Sequence, residues 1–163
     1  MCAKNYQNRA WFDKVIAKIK WCSFFDSHVM IGVQEHWLSS DNVNLLNNLH
    51  PDFIGFGLSS MNDRLCTEIY RGRPFGGVGF LWRRSISDSV QIISKAVSGR
   101  SLCISLKFQN NQIINIVNVY FPCCTSTVEY TSQLADSLSF VEDVLSLGFD
   151  TILLGDMNFG MYE

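Results

Sequence analysis

The chain has 163 residues, a formal net charge of −2, and 47% hydrophobic against 17% charged residues. This composition excludes an intrinsically disordered chain, and the length fits a single domain over residues 1–163. The mild acidity predicts no strong general attraction to nucleic acid or membrane, although a local basic patch can still steer a polyanion.

The first half of the sequence predicts helices and strands separated by polar turns. Apolar residues recur at helical spacing near the start, and short apolar runs follow them. In order, the predicted elements are an amphipathic helix over 9–22, a strand over 29–33, a short helix capped by Ser40-Asp41 and ended by Pro51, a strand over 53–58, a loop over 59–75 and a strand over 76–82.

The second half predicts a hairpin. Apolar residues from Leu102 to Phe108 alternate with polar ones, which is typical of a half-buried strand. The Asn110-Asn111 turn signal joins this strand to another over 113–120. A further strand is predicted over 90–93.

A helix and a last strand follow the hairpin. The stretch from Ser126 to Glu129 fits a capping box, and Gly148 supplies a C-terminal stop. The predicted buried face of this helix consists of Leu134, Leu138, Val141 and Leu145. A closing, buried strand is predicted over 151–154. The hairpin argues against a simple parallel sheet, so we predict an α/β fold of two packed sheets with helices outside.

The six cysteines match neither a zinc nor a thioredoxin spacing. Cys103 lies within an apolar strand pattern and is interpreted as a small hydrophobic residue. We therefore expect reduced thiols in an intracellular protein, nuclear or cytoplasmic. The N-terminus lacks the apolar stretch of a signal peptide, and no window approaches the ~18 apolar residues of a membrane span.

Two strand ends carry candidate site residues. Glu35 directly follows the strand over 29–33, and a carboxylate in that position is a suitable ligand for Mg²⁺. Asp156 and Asn158 follow the last strand, two residues apart, so an extended backbone would turn both to one site. A solvated loop acid and an ordinary turn are the alternatives for these positions. His36 alone makes no zinc site and also fits a packing histidine.

Two further groups are candidates for substrate contacts. Asn118 and Tyr120 share one face of their strand, and a tyrosine hydroxyl there can donate to a phosphate oxygen, although a core tyrosine is the alternative. Arg73 lies in a glycine-rich stretch that fails both phosphate-loop templates. It can contact backbone phosphates, while a solvated loop remains the simpler interpretation.

Four motifs in chain order resemble those of the endonuclease/exonuclease/phosphatase superfamily, which includes deoxyribonuclease I and the abasic-site endonucleases. They are Gln34-Glu35-His36-Trp37-Leu38, Arg73-Pro74-Phe75-Gly76-Gly77-Val78-Gly79, Asn118-Val119-Tyr120 and Gly155-Asp156-Met157-Asn158. The first two are most similar to the endonuclease domain of non-LTR retrotransposons, which precedes a reverse transcriptase. The resemblance covers roughly residues 29–160.

The resemblance implies a four-layer α/β sandwich and hydrolysis of a DNA phosphodiester with Mg²⁺ or Mn²⁺. It assigns metal binding to Glu35, orientation or deprotonation of the attacking water to Asp156, and contacts around the scissile phosphate to Asn158 and Tyr120. DNA is the implied partner, with a reverse transcriptase domain in the same reading frame. Other phosphoesters (inositol phosphate, sphingomyelin or RNA) and a vestigial, non-catalytic binding protein are the alternatives.

Two departures from the family pattern affect the expected activity. The family begins with a strand that carries an asparagine near the metal, and it ends with a Ser-Asp-His segment. Neither motif is found in this sequence. The resemblance therefore implies a domain that is incomplete at both ends, with weak or absent catalysis, because loss of a catalytic histidine in an unrelated hydrolase costs on the order of 10⁶ in rate.

Overall fold

The computed structural model describes residues 29–61, 75–96, 98–123 and 128–158, and its strands form two sheets. The strands are β1 (Met30–Gln34), β2 (Phe53–Leu58), β3 (Val78–Arg83), β4 (Val90–Lys95), β5 (Ser101–Lys107), β6 (Ile113–Tyr120) and β7 (Asp150–Asp156). The helices within the described residues are two short 3₁₀ helices, Val43–Asn48 and Arg84–Ser89, and one α-helix, α1 (Val128–Leu145).

The two sheets differ in strand direction. The first has the order β1-β3-β2 and is antiparallel throughout. The second has the order β4-β5-β6-β7, in which only β6 and β7 run parallel. The predicted hairpin of β5 and β6 is confirmed, and its turn residue Asn111 has φ +62°.

The main core lies between the sheets and follows from the alternation along each strand. Residues two apart share a face, so every second residue of the central strands points inward. The buried members are Val78, Phe80 and Trp82 of β3, Leu102 and Ile104 of β5, and Ile116 and Tyr120 of β6. The polar residues of the site lie at one end of this core.

Each sheet has a second apolar layer on its outer face. The 3₁₀ helix Val43–Asn48 inserts Leu46 against Phe53 and Leu81 of the first sheet. Helix α1 places Phe140 and Val144 on the outer face of the second sheet. The order of layers, from 3₁₀ helix through two sheets to α-helix, confirms the predicted α/β sandwich.

The predicted exposure of β5 and α1 is wrong in detail. The residues Ser101 to Ser105 are buried on both faces because α1 covers the outer one. The buried face of α1 carries Ser137, Phe140 and Val144, while Leu138 and Leu145 are 46% and 54% exposed. The small Ser137 allows close approach to the sheet and the large Phe140 fills the remaining space.

Strand β7 is also more exposed than predicted. Ile152 and Leu153 are 51% and 42% exposed, because β6 is the only described strand that pairs with β7 and no described element covers its other edge. The first short helix has Asn42 rather than Ser40-Asp41 in the N-cap position, and the Asn42 side chain makes no capping hydrogen bond. The predicted helix over 9–22, most of the loop over 59–75 and the start of the capping box lie outside the described residues. No described helix is long and apolar enough to cross a bilayer.

Candidate functional site

Glu35 leaves the end of β1 in an unusual backbone conformation. Its φ is +50°, and that of Trp37 is +54°, so two residues with a Cβ lie in the left-handed region within three positions. Such residues cost of order 1 kcal/mol or more and persist only where the surroundings hold them. The Glu35 side chain is exposed at the rim.

The Glu35 carboxylate accepts a hydrogen bond from the Tyr120 hydroxyl at the end of β6. This bond joins the first sheet to the second. Tyr120 is 8% exposed, and burial, followed by the bond to Glu35, raises the pKa of its phenol. The hydroxyl therefore remains protonated at neutral pH and acts as a donor.

Asp156 lies beside Tyr120 at the end of the neighbouring strand. The two residues are register partners in the parallel β6–β7 pair, and the Phe121 amide donates to the Asp156 carbonyl at 2.9 Å. Gly155 is required here, since a Cβ at this position would meet the Val119 carbonyl oxygen at 1.9 Å. The close strand approach thus places an exposed carboxylate beside the tyrosine.

Asn158 is oriented by a turn rather than by strand alternation. β7 ends at Asp156, and the Asn158 amide donates to the Asp156 carboxylate at 2.9 Å. The Asn158 side chain donates to the Phe121 carbonyl at 2.6 Å. An amide group has two N–H donors, and the second donor of Asn158 has no acceptor among the described residues.

Asn118 occupies a different environment from the other predicted residues. It is fully buried between the sheets, where its Nδ2 donates to the carbonyls of Val33 at 3.0 Å and Gly79 at 2.7 Å. Gln34 donates to its Oδ1 at 2.5 Å. Both N–H groups of Asn118 are thus used within the protein. Arg73 lies outside the described residues.

His36 lies directly below the rim and is almost fully buried, with 4% exposure. Its Nε2 hydrogen-bonds to the Leu58 carbonyl at 2.9 Å, and its Nδ1 accepts from the Leu38 amide at 3.0 Å. Burial lowers the pKa of His36 to about 4, so the ring is neutral at physiological pH. The interpretation of a packing histidine agrees with this environment.

Sequence reasoning missed Arg100, which precedes β5. Its guanidinium lies 5.1 Å from the centre of the Tyr120 ring, and its Nη1 donates to the Tyr120 carbonyl at 3.4 Å. Partial burial lowers the pKa of Arg100, yet an arginine remains a cation in proteins. Its Ser-Gly-Arg-Ser context carries no recognisable motif, so only the fold reveals that this cation is next to the tyrosine.

The rim thus groups Glu35, Tyr120, Asp156 and Arg100, and the donor chemistry fits a hard cation. Mg²⁺ is commonly held by one or two carboxylates, with water and substrate phosphate oxygens completing the shell. Among the described residues, no group of three or more His, Cys, Asp or Glu side chains is arranged to hold a metal ion. The exposed Glu35 carboxylate suits Mg²⁺ or Mn²⁺ in this open arrangement.

No protein-family model matches this chain, and no curated protein matches it. Several solved structures are similar to it. The crystal structure of humanized D. rerio TDP2 superposes with a TM-score of 0.53 and 14% identity, over 98% of this chain and 62% of that one. The Xenopus laevis APE2 catalytic domain gives a TM-score of 0.53 and 16% identity, over 88% of this chain and 54% of that one.

A third similar structure is the 3′ phosphatase NExo from Neisseria, bound to a product DNA hairpin. It gives a TM-score of 0.52 and 17% identity, over 83% of this chain and 49% of that one. The chain spans between 49% and 62% of the length of these three structures. All three structures are members of the endonuclease/exonuclease/phosphatase superfamily. At sequence identities of 14% to 17%, what this chain shares with them is the fold.

Proposed function

We propose that this chain is a metal-dependent phosphodiesterase domain that acts on DNA, of the type found in the endonuclease of non-LTR retrotransposons. The observation that carries the proposal is the grouping of Glu35, Tyr120 and Asp156, which come from three strand ends and two sheets. An acidic residue in an ordinary solvated loop would be hydrogen-bonded by water and would not require a hydrogen bond from a tyrosine of the opposite sheet. The fold shared with NExo, which is bound to a DNA product, supports the choice of substrate.

Each side chain has a task in this proposal. Glu35 holds the divalent cation, which when bound neutralises phosphate oxygens and helps to position the attacking water. Asp156 accepts the proton of that water as general base. The second N–H of Asn158 donates to the phosphate, Arg100 offsets its charge, and Tyr120 uses its single O–H to orient the Glu35 carboxylate. Asn118 supports the site from inside by joining the two sheets.

Plasmid nicking tests the proposal. We expect slow conversion of supercoiled plasmid to open circles in Mg²⁺ and none in EDTA, under single-turnover conditions with excess protein. Asp156→Asn should lower the rate by about 10²-fold or more, as expected for loss of a general base. Asp150→Asn is the matched control, since Asp150 is also exposed on β7 but lies at its other end.

Two results would contradict the proposal: no metal-dependent nicking by the unaltered chain, or equal nicking by both aspartate variants. Parallel assays on RNA, an inositol phosphate and sphingomyelin separate DNA from the other phosphoesters. The retrotransposon origin has its own test, which is whether the reading frame that encodes this chain also encodes a reverse transcriptase.

A further inference from the structure

We propose that His36 is a positioning residue for the candidate metal site, and that its imidazole fixes the direction of the adjacent Glu35 carboxylate. The inference rests on the proposed role of Glu35 as the metal ligand. It concerns a residue that touches neither the metal nor the substrate, and it follows from the segments that meet at the ring.

The imidazole joins two segments by hydrogen bonds. The Leu38 amide donates to Nδ1 at 3.0 Å, which closes the loop after β1. Since Nδ1 is an acceptor, Nε2 carries the proton and donates to the Leu58 carbonyl at the end of β2, at 2.9 Å. The loop that carries Glu35 is thereby tied to a strand 22 residues away in sequence.

A third segment, at the start of β3, packs against the same ring. A Cβ on Gly77 would lie 2.3 Å from the imidazole, and Gly77 has φ +92°, so no other residue fits there without displacing the histidine. The Trp37 amide also donates to the Gly76 carbonyl at 3.0 Å. The imidazole is therefore the common contact of the chain after β1, at the end of β2 and before β3.

This arrangement explains why Glu35 remains left-handed. With φ +50°, Glu35 turns its carboxylate toward Tyr120 while the next residue points down into the protein. Without the buried ring, the loop would lose its hydrogen bond to Leu58 and its contact with Gly77, and Glu35 could relax to the extended conformation that non-glycine residues prefer. The carboxylate would then leave the place where it meets Tyr120.

Metal ligands are sensitive to such shifts. Loss of a supporting residue around a metal ligand typically weakens metal affinity by 10- to 100-fold. We therefore expect His36→Asn to raise the Mn²⁺ dissociation constant about tenfold. Asparagine can still accept from the Leu38 amide, as an Asx turn does, but is too short to reach Leu58. His36→Gln keeps a donor that can reach Leu58 and should recover most of the affinity.

The experiment measures Mn²⁺ binding by electron paramagnetic resonance on the full chain, with circular dichroism to confirm that each variant is folded at the temperature used. His50→Asn is the matched control. His50 makes the same local bond, from the Asp52 amide to its Nδ1 at 3.2 Å, but lies before β2 at the far end of the first sheet. Its replacement should leave Mn²⁺ affinity unchanged.

The outcomes separate the two proposals. If Glu35→Gln abolishes Mn²⁺ binding while folded His36→Asn and His36→Gln bind as tightly as the unaltered chain, the positioning role is refuted and the metal site stands. If the unaltered chain binds no Mn²⁺, or Glu35→Gln does not change binding, the metal site is refuted and the role of His36 with it.

Discussion

The two ends of the sandwich hold their chain turns by different means. At the hairpin end, where β5 turns into β6, Asn111 has φ +62°, and the turn closes through neighbours, with the Asn111 amide donating to Phe108 at 3.0 Å. At the site rim, where β1, β6 and β7 end, Glu35 and Trp37 are left-handed without any such local preference. There the bonds reach across the fold, as between Glu35 and Tyr120, 85 residues apart.

The difference shows which parts of the molecule are encoded locally. Asparagine tolerates the left-handed region and bonds to its own backbone, so the hairpin turn follows from two adjacent residues. Glutamate and tryptophan do not favour this conformation, so at the rim it persists only because several tertiary contacts hold these residues in place. Strain that is maintained by distant contacts is common where a site must be preorganised. Substitutions in the core, at the rim and at the hairpin test this contrast.

The largest effect on stability is expected for Asn118→Leu. Asn118 of the second sheet is fully buried; it donates to the carbonyls of Val33 and Gly79 and accepts from Gln34, all three in the first sheet. Removing the amide leaves buried polar groups unsatisfied, so we expect a loss of about 3 kcal/mol in the free energy of unfolding. Urea denaturation followed by circular dichroism measures it.

Asn115→Leu is the control for this change. Asn115 lies on the same strand and is also fully buried, but it faces α1, and its Nδ2 has no hydrogen-bond partner within the described part of the chain. This change removes the unpaired donor together with one hydrogen bond, from the Ser105 hydroxyl to Asn115 Oδ1, so it should cost less than Asn118→Leu, about 1 to 2 kcal/mol. Equal losses in the free energy of unfolding for the two variants would show that the hydrogen bonds of Asn118 between the sheets make no particular contribution to stability.

Much of the fold could be predicted from the sequence because patterns among neighbouring residues determine most of the strands and turns. Strand β2 and strand β6 match their predicted bounds, since apolar alternation and turn signals determine both. The face of α1 could not be predicted, because Leu138 and Val144 are equally apolar and only the shape of the sheet selects Val144. Burial of β7 was predicted wrongly for the same reason, as apolarity does not say what covers a strand.

The candidate site shows the same limit. Glu35 and Asp156 could be predicted because each follows an apolar strand in a recognisable motif. The contact of Tyr120 with Glu35 and the position of Arg100 could not, since both depend on how the two sheets pack. The sequence also placed Asn118 among the substrate contacts, whereas its hydrogen bonds lie inside the sandwich.

The next effect concerns acid stability at the site rim. The pKa of His36 falls from 6.5 to about 4 on burial, so the unfolded chain binds a proton that the folded chain excludes between these values. Stability is therefore complete above about pH 6.5 and is lost as the pH falls toward 4. From pH 7 to pH 5 this amounts to about 2 kcal/mol.

Urea titrations at both pH values measure this loss, and His36→Gln supplies the comparison because glutamine does not titrate. The acid-induced loss should be smaller in His36→Gln by about 2 kcal/mol. If the stability of the unaltered chain and of His36→Gln depended on pH in the same way, the folded chain would take up a proton on His36 over the same pH range as the unfolded chain.

A smaller effect is expected for the cation beside Tyr120. Arg100→Ala should raise the KM for plasmid DNA about tenfold, or ~1.4 kcal/mol, because a partly buried charge next to the phosphate is lost. The dependence of binding on salt should also weaken by about one counterion. Arg84→Ala is the control, as Arg84 is exposed, donates to the Pro51 carbonyl at 2.7 Å and follows β3 at the far end. Equal KM values for both variants would exclude Arg100 from phosphate binding.

The smallest effect is expected at the hairpin end. Asn111→Gly should change the free energy of unfolding by less than about 0.5 kcal/mol, because glycine adopts the left-handed turn freely but also gains freedom in the unfolded chain. Asn111→Ala should cost about 1 kcal/mol, since alanine lacks the short polar side chain that lets asparagine tolerate this region. Thermal unfolding of both variants measures the pair. A loss above about 2 kcal/mol for Asn111→Ala would show that distant contacts hold this turn as well, and the two ends would then no longer differ in how they are stabilised.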